Sequence, residues 1–148
     1  MKQRKTTDRD AEEGRGAGAM LRYEEELWAE QPGLVLAGVD EAGRGCLAGP
    51  VVAGAVTMRQ ELAERLYADT RSGLTDSKQL SAARRETFFE IFRNTPEIVM
   101  STGWCSAKEI DRLNILVATH LAMRRAVEGL RQKAAYVLVD GLPVKGLP

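Results

Sequence analysis

Apolar and polar residues alternate along this 148-residue chain in patterns that predict both strands and helices. Four short runs rich in apolar residues have the length of buried strands, at residues 34–39, 50–56, 98–105 and 136–139. Apolar residues recur at helical spacing over residues 19–31, 59–68, 81–94 and 106–130. This order indicates an α/β fold, in which a right-handed crossover through the last helix brings the fourth strand parallel to another strand.

Capping residues mark where several helices begin. Ser81 can cap the third helix, and Ser106 with Glu109 has the spacing of a capping box that opens the next helical region. Asn114 can act as a second cap within that region. The residues expected to supply apolar contacts from the last two helical regions are Phe88, Phe89, Phe92, Leu116, Val117, Leu121, Met123 and Val127.

Length and composition predict one soluble domain. Residues 1–18 are polar and mix both charges, so we expect a disordered tail followed by a domain over residues 19–148. No apolar run approaches the roughly 18 residues needed to span a bilayer, and the N-terminal residues lack an apolar signal core. We therefore expect a cytoplasmic protein without a membrane partner. Cys46 and Cys105 form no closely spaced pair, which argues against a cysteine metal site.

Charge composition by itself does not point to a nucleic-acid partner. The 21 basic residues are balanced by 21 acidic residues. A case for nucleic-acid binding must therefore come from local patterns.

Two of the predicted strands end in carboxylates. Asp40 and Glu41 follow the first strand, and Asp140 follows the fourth. Two carboxylates about 4 Å apart repel each other by roughly 4 kcal/mol at an effective dielectric constant of 20, so we expect a cation nearby. If the two strands are neighbours, the three acids emerge at one edge of the sheet, where the active sites of open α/β sheets lie.

The chemistry of these acids favours a hard divalent cation such as Mg²⁺ or Mn²⁺, because no histidine lies near them in sequence. The one histidine, His120, lies in the middle of a predicted helix and is interpreted as structural. Metal-assisted phosphoryl transfer is the chemistry that remains. The alternative is an ordinary strand-to-turn junction with solvated acids.

The residues around Asp40 resemble the signature of the ribonuclease HII family. The matching segments are Asp40-Glu41-Ala42-Gly43-Arg44-Gly45 and Leu47-Ala48-Gly49-Pro50-Val51-Val52. Three later segments are similar to the family in the same order: Asp76-Ser77-Lys78 with Leu80-Ser81, Ile110-Asp111 through Asn114-Ile115, and Leu138-Val139-Asp140-Gly141. One residue departs from the signature, since Cys46 stands where the family usually has proline.

The resemblance implies a ribonuclease H-like fold, with a mixed β-sheet flanked by helices, and the activity of a metal-dependent endonuclease. Such an enzyme cuts the RNA strand of RNA–DNA hybrids and cuts 5′ of ribonucleotides embedded in duplex DNA, leaving a 3′-hydroxyl and a 5′-phosphate. It would serve ribonucleotide excision as a monomer. The implied catalytic metal ligands, for two Mn²⁺ or Mg²⁺ ions, are Asp40, Glu41 and Asp140.

The resemblance also implies nucleic-acid contacts, made by Gly43, Arg44, Gly45, Ser77 and Lys78. Glycines let the backbone approach a sugar closely, and the ribose 2′-hydroxyl distinguishes RNA from DNA. Arg44 can bind a phosphate or form an ion pair that stabilises the loop. Lys78 can neutralise a phosphate or be a surface lysine. Asp111 and Asn114 also match family positions, but helix capping explains them equally well.

The chain departs from the family at its C-terminal end, eight residues after Asp140. The resemblance implies that a further strand and C-terminal helices are missing, together with a fourth acidic ligand and a tyrosine that stacks on the junction ribose. We therefore expect a C-terminally incomplete domain. The alternative function is a catalytically deficient remnant that binds RNA–DNA junctions without cutting them.

A dinucleotide-binding enzyme is a further, less favoured alternative. Gly43, Gly45 and Ala48 have the spacing of a dinucleotide-binding loop. However, Gly49-Pro50 and a β-branched run follow where that motif requires a helix.

Overall fold

The fold is given by a computed structural model, which describes residues 2–6, 21–69, 77–140 and 143–147. In chain order its elements are β1 (Lys2–Thr6), α1 (Arg22–Glu30), β2 (Leu36–Ala42), β3 (Val51–Met58), α2 (Gln60–Asp69), a 3₁₀ turn (Ser77–Gln79), α3 (Ala82–Arg93), β4 (Val99–Cys105), α4 (Ala107–Leu113), α5 (Ile115–Glu128) and β5 (Tyr136–Asp140).

The five strands form one mixed sheet in the order β1-β5-β2-β3-β4. Strands β2, β3 and β4 pair antiparallel, whereas β5 pairs parallel with both β2 and β1. The crossover through α4 and α5 thus returns the chain to the centre of the sheet. This arrangement confirms the predicted α/β class and the predicted parallel placement of the last strand.

Helix α5 covers one face of the sheet through small residues. Ala118, Ala122 and Ala126 are completely buried between the helix and strands β2 to β4. A Cβ added at Gly103 of β4 would overlap the Ala122 carbonyl oxygen and the Ala126 amide nitrogen, so the backbones of helix and strand are in near contact. This close approach leaves little room for larger side chains in between.

The predicted apolar contacts of α5 are confirmed in the middle of the helix but are wrong in its first turn. Met123 and Val127 are buried, and Leu121 packs against the same cluster. Leu116 and Val117 are 40% and 44% exposed, contrary to the prediction. The closely packed alanines rotate the first turn of the helix so that these two side chains face away from the sheet.

Helix α1 covers part of the other face. Leu27 and Trp28 pack against Leu36 and Leu138, and the Trp28 indole N–H donates a hydrogen bond to the Leu34 carbonyl at 3.0 Å. Leu36 begins β2, so this cluster lies at the end of the sheet farthest from the acids. No helix in the described part of the chain is long and apolar enough to cross a bilayer.

Helix α3 buries only one of the three phenylalanines that were expected to face inward. Phe88 is buried and its ring lies 6.4 Å from that of Phe92, which is half-buried. Phe89 is 48% exposed, so the prediction is wrong for this residue. Consecutive helical residues point about 100° apart, and the narrow contact made by α3 accommodates one of the two.

The three predicted caps are confirmed. Ser81 Oγ accepts a hydrogen bond from the Arg84 amide at 3.3 Å, and Ser106 with Glu109 forms a complete capping box. Asn114 Oδ1 accepts from the Val117 amide at 3.1 Å, and its backbone has a positive φ of 68°. The chain therefore turns between α4 and α5 at a residue that tolerates this conformation.

The N-terminal segment differs from the expected tail at residues 2–6. These residues form edge strand β1, with Thr6 opposite Asp140 of β5. A β-ladder joins backbone groups, so a polar segment without an apolar pattern can still join a sheet. Residues 7–18 lie outside the described part of the chain.

Arg125 of α5 ties the end of β4 to α4. One guanidinium nitrogen donates to the Trp104 carbonyl at 2.6 Å, and the other donates to Glu109 Oε1 at 2.8 Å. The hydrogen bond from Arg125, together with those from Ser106, lowers the pKa of Glu109 to about 2.

Glu109→Gln is expected to lower the melting temperature at pH 7 by about 3 °C, because the glutamine cannot pair with Arg125. Since the folded pKa lies below the unfolded one, the contribution is complete above pH 4.5 and is lost as pH falls toward 2. Thermal unfolding at pH 7 and at pH 2.5 measures this. Glu90→Gln, which removes an exposed pair with Arg93 in α3, is the matched control and should change little. An equal loss for both variants, or a loss for Glu109→Gln that persists at pH 2.5, would contradict the assignment.

Candidate functional site

The acids that follow strands β2 and β5 lie at the same edge of the sheet. Val39 and Val139 are paired in the parallel ladder, so Asp40 and Asp140 come next on neighbouring strands. Their neighbours Val39 and Val139 face α5, and both acids therefore face the opposite side. Neighbouring strands are about 4.8 Å apart, so the two acids emerge from adjacent positions on the same face of the sheet.

Asp40 and Glu41 form a close carboxylate pair. Asp40 Oδ1 accepts a hydrogen bond from the Glu41 amide at 2.7 Å. Partial burial raises the pKa of Asp40, and the nearby Glu41 carboxylate raises it further, while the Glu41 amide and Lys78 act in the opposite direction. The pair is therefore electrostatically unfavourable in isolation, as the sequence predicted.

The loop after β2 is shaped by Gly43. Its φ is +92°, and a Cβ at this position would lie 2.7 Å from the Pro50 carbonyl oxygen. Arg44 extends from this loop, and its Nη1 lies 3.4 Å from Glu41 Oε1. The Arg44 side chain is half exposed, so the ion pair leaves part of the guanidinium open to solvent. Gly45 follows with open space around it.

Lys78 reaches Asp40 from the 3₁₀ turn. Arg85 stabilises that turn by donating to the carbonyls of Ser77 at 3.2 Å and Leu80 at 2.6 Å. Lys78 is near enough to Asp40 to lower its pKa. The structure thus brings the second predicted motif to the carboxylate pair, while its first residue, Asp76, lies outside the described residues.

A family model described as "Ribonuclease HII" matches residues 37–146, most of the chain. The chain belongs to the ribonuclease HII family. The match contains both acidic strand ends, the Gly43 loop and the 3₁₀ turn. It also settles the dinucleotide-binding alternative, in agreement with strand β3, which follows the loop where that motif requires a helix.

Relatives in the ribonuclease HII family are similar over most of this chain. Ribonuclease HII of Delftia acidovorans is 56% identical over 115 residues, covering 76% of this chain and 45% of the relative. Ribonuclease HII of Albidiferax ferrireducens is 56% identical over 120 residues, covering 80% of this chain and 53% of the relative. The chain therefore spans about half the length of these relatives.

A solved ribonuclease HII-type structure shares the fold. The crystal structure of ribonuclease H2 from Pyrococcus horikoshii OT3 matches with a TM-score of 0.61 and 31% identity. The match covers 72% of this chain and 49% of that chain. The ribonuclease H-like fold expected from the sequence is confirmed.

The three predicted metal ligands are only partly assembled. Among the described residues, no group of three or more histidine, cysteine, aspartate or glutamate side chains is close enough to hold a metal ion. Asp40 and Glu41 are together, and Asp140 is aligned with them on the next strand without joining the pair. The oxygen donors and their mutual repulsion fit a hard divalent cation. Its positive charge would offset the repulsion from Glu41 that helps to raise the pKa of Asp40.

His120, which its mid-helix position predicts to be structural, lies beside this site. Burial lowers the pKa of His120, and nearby Arg44 lowers it further. Smaller effects come from Glu41, which raises this pKa, and from Lys145, which lowers it. The residue therefore faces the Glu41 side of the carboxylate pair from α5. Nearly 80 residues separate His120 from Glu41 in the chain, so no local spacing could reveal this.

Proposed function

We propose that this ribonuclease HII family chain is a metal-dependent endonuclease that acts on RNA–DNA hybrids and on ribonucleotides embedded in duplex DNA. It cuts 5′ of the ribonucleotide and leaves a 3′-hydroxyl and a 5′-phosphate. We place this activity in the cytoplasm, in a monomer. The observation that supports it most is the Asp40–Glu41 pair, aligned with Asp140 on the parallel neighbouring strand.

Asp40, Glu41 and Asp140 would hold Mn²⁺ or Mg²⁺. When bound, such ions activate the attacking water and stabilise the departing oxygen. The carboxylates must be ionised to act as ligands, so a metal ion competes with a proton for Asp40. Because the pKa of Asp40 is raised, metal affinity should increase as pH rises through it.

Two basic side chains flank the carboxylate pair and would position the substrate. Arg44 lies on the side of Glu41, and Lys78 lies on the side of Asp40. A phosphate bound by Arg44 would compete with Glu41 for the guanidinium, which frees Glu41 to bind a cation. Within the loop, Gly45 has the open space for a sugar to approach the backbone.

Lys78→Ala is expected to weaken binding of a ribonucleotide-containing duplex by about three- to tenfold at low salt, because one phosphate contact is lost. The slope of the logarithm of the binding constant against the logarithm of salt should fall by about 1. Fluorescence anisotropy in EDTA at several salt concentrations measures both. Lys133→Ala is the matched control. Lys133 is exposed and precedes the start of β5, so it lies near the end of the strands opposite to Asp140. Equal slopes for wild type and Lys78→Ala would remove Lys78 from the interface.

The proposal is tested with duplex DNA that contains one ribonucleotide, incubated with Mg²⁺, Mn²⁺ or EDTA. We expect cleavage 5′ of the ribonucleotide with either ion and none with EDTA. All-DNA duplex should remain intact. A folded chain that cuts neither this duplex nor an RNA–DNA hybrid would contradict the endonuclease proposal.

One observation favours a second function, which is binding without cleavage. Asp140 does not join Asp40 and Glu41 among the described residues, so the chain would hold a metal less firmly than a complete set of ligands. A remnant of this kind binds the ribonucleotide-containing duplex in preference to all-DNA duplex and leaves it uncut. The same assay, combined with anisotropy, separates the two functions.

A further inference from the structure

Beside Asp40, the described residues leave half of the sheet face opposite α5 uncovered. The cross-strand registers give two adjacent rows on this face, the first formed by Asp40, Gly54 and Thr102 and the second by Ala42, Val52 and Trp104. We call these two rows the open half-sheet. A Cβ added at Gly54 would meet no atom within 4 Å, so no described residue packs on its centre.

The helical cover of this face ends before the open half-sheet. Leu27 and Trp28 of α1 pack on Leu36 and Leu138, at the other end of the strands. Trp104 is therefore 57% exposed, and its cross-strand partner Val52 is 37% exposed. Covering a tryptophan side chain releases much free energy, and an exposed apolar pair on the sheet face that also carries Asp40 favours a binding surface.

The backbone fixes the direction of the Trp104 side chain. Its neighbours Gly103 and Cys105 are buried against α5, so alternation along β4 turns the indole toward the open half-sheet. Arg125 donates a hydrogen bond to the Trp104 carbonyl at 2.6 Å and anchors this end of the strand. The indole is thus presented from a rigid position.

We propose that Trp104 is a nucleic-acid contact, whose indole packs against the sugar and base edge of a substrate nucleotide. Two strand spacings and two residues along a strand separate the Cα atoms of Trp104 and Asp40, which is about 12 Å. A nucleic-acid strand advances about 3.4 Å per nucleotide, so the contact falls about three to four nucleotides from the reacting phosphate. This inference rests on the proposed function for the class of its ligand.

The open half-sheet fits a nucleic acid better than an apolar protein segment. Between Asp40 and Trp104 it presents only small side chains and the Thr102 hydroxyl, which allow a sugar–phosphate backbone to come close. Lys78 borders it at Asp40, and its two rows contain no acid other than Asp40, which metal binding would neutralise. Aromatic contacts of this kind tolerate any base sequence.

The test measures binding of duplex DNA with one ribonucleotide, in EDTA, by anisotropy and by tryptophan fluorescence. Trp104→Ala should weaken binding about tenfold, whereas Trp104→Phe should stay within about threefold. The salt slope should not change in either variant, because no charge is removed. Leu116→Ala, which shortens an exposed apolar side chain on the α5 side of the sheet, is the matched control.

Fluorescence supplies a readout that a purely structural role would not change. Trp28 is buried and hydrogen-bonded, so quenching by the duplex should come from Trp104 and should vanish in Trp104→Phe. Melting curves verify that the variants fold, and Trp104→Phe keeps the test valid if Trp104→Ala does not. Unchanged affinity of folded Trp104→Ala, or quenching that persists in Trp104→Phe, would overturn the proposal.

Two further outcomes separate this inference from the proposed function. Binding that depends on Trp104 without any cleavage in Mn²⁺ would reject the endonuclease and retain the contact. Normal cleavage and binding by Trp104→Ala would retain the endonuclease and reject the Trp104 contact. A wild-type chain that binds no duplex would overturn the inference. Dimers that Trp104→Ala dissociates would assign the surface to a second copy of this chain and would overturn it as well.

Discussion

Asp40→Asn is expected to reduce metal-dependent cleavage by about a thousandfold or more, since it removes a charged ligand from the centre of the site. Asp40 pairs with Glu41 along the strand, and Asp140 follows at the next position of the neighbouring strand. The asparagine keeps the shape and the acceptor for the Glu41 amide but loses the negative charge. Rates of cutting 5′ of a single ribonucleotide in Mn²⁺ and Mg²⁺ measure the effect.

The same substitution should leave the fold intact, which separates lost chemistry from lost structure. The pKa of Asp40 is raised, so above that pKa its charge costs more free energy in the folded chain than in the unfolded chain. Asp40→Asn should therefore unfold at no lower temperature than wild type in EDTA, and Mn²⁺ should stabilise only the wild type. Glu64→Gln, which neutralises an exposed acid on α2, is the control and should cut normally. Substantial cleavage by Asp40→Asn would remove this residue from the metal site.

Gly103→Ala is expected to destabilise the fold by about 3 kcal/mol or more, because the packed interface between β4 and α5 has no space for the new methyl group. It would overlap backbone atoms of Ala122 and Ala126 and lie 2.7 Å from the Arg125 Cβ. Backbone atoms of a buried helix cannot rotate away as a flexible side chain can. Relief requires α5 to move off the sheet, and that motion opens the buried alanine interface.

Urea unfolding of Gly103→Ala measures this loss directly. Gly54→Ala is the matched control, since it lies on the neighbouring strand with no atom within 4 Å of the added carbon. We expect the control to change the free energy of unfolding by less than about 1 kcal/mol. Similar values for the two variants would mean that α5 does not approach β4 as closely as described.

The fold could be predicted from the sequence to the extent that signals were local. Strands β2 to β5, the three caps and the crossover were recognised, because apolar runs and capping spacings act within a few residues. Strand β1 was missed, because its polar sequence has no apolar pattern. The other errors concern which side chains face the core. Phe89, Leu116 and Val117 have suitable chemistry but point outward, since the alanines of α5 and the single contact of Phe88 set the rotation of each helix.

The candidate site shows the same division. Asp40, Glu41, Asp140, Arg44 and Lys78 could be named from a family signature and from strands that end in acids. The positions of His120 and Trp104 relative to this site had no such signal. His120 lies near Glu41 because the crossover packs α5 on the sheet. Trp104 is exposed because no described element covers its side of β4.

The sequence by itself determined the α/β class, the acidic strand ends and the family of this chain. These depend on residue type and on spacing along the backbone. Only the tertiary structure decided that Asp40 and Asp140 are side by side, that Glu41 pairs with Arg44, and that an open half-sheet joins Asp40 to Trp104. Such features arise from strand register and helix placement, which depend on contacts between residues far apart in the chain.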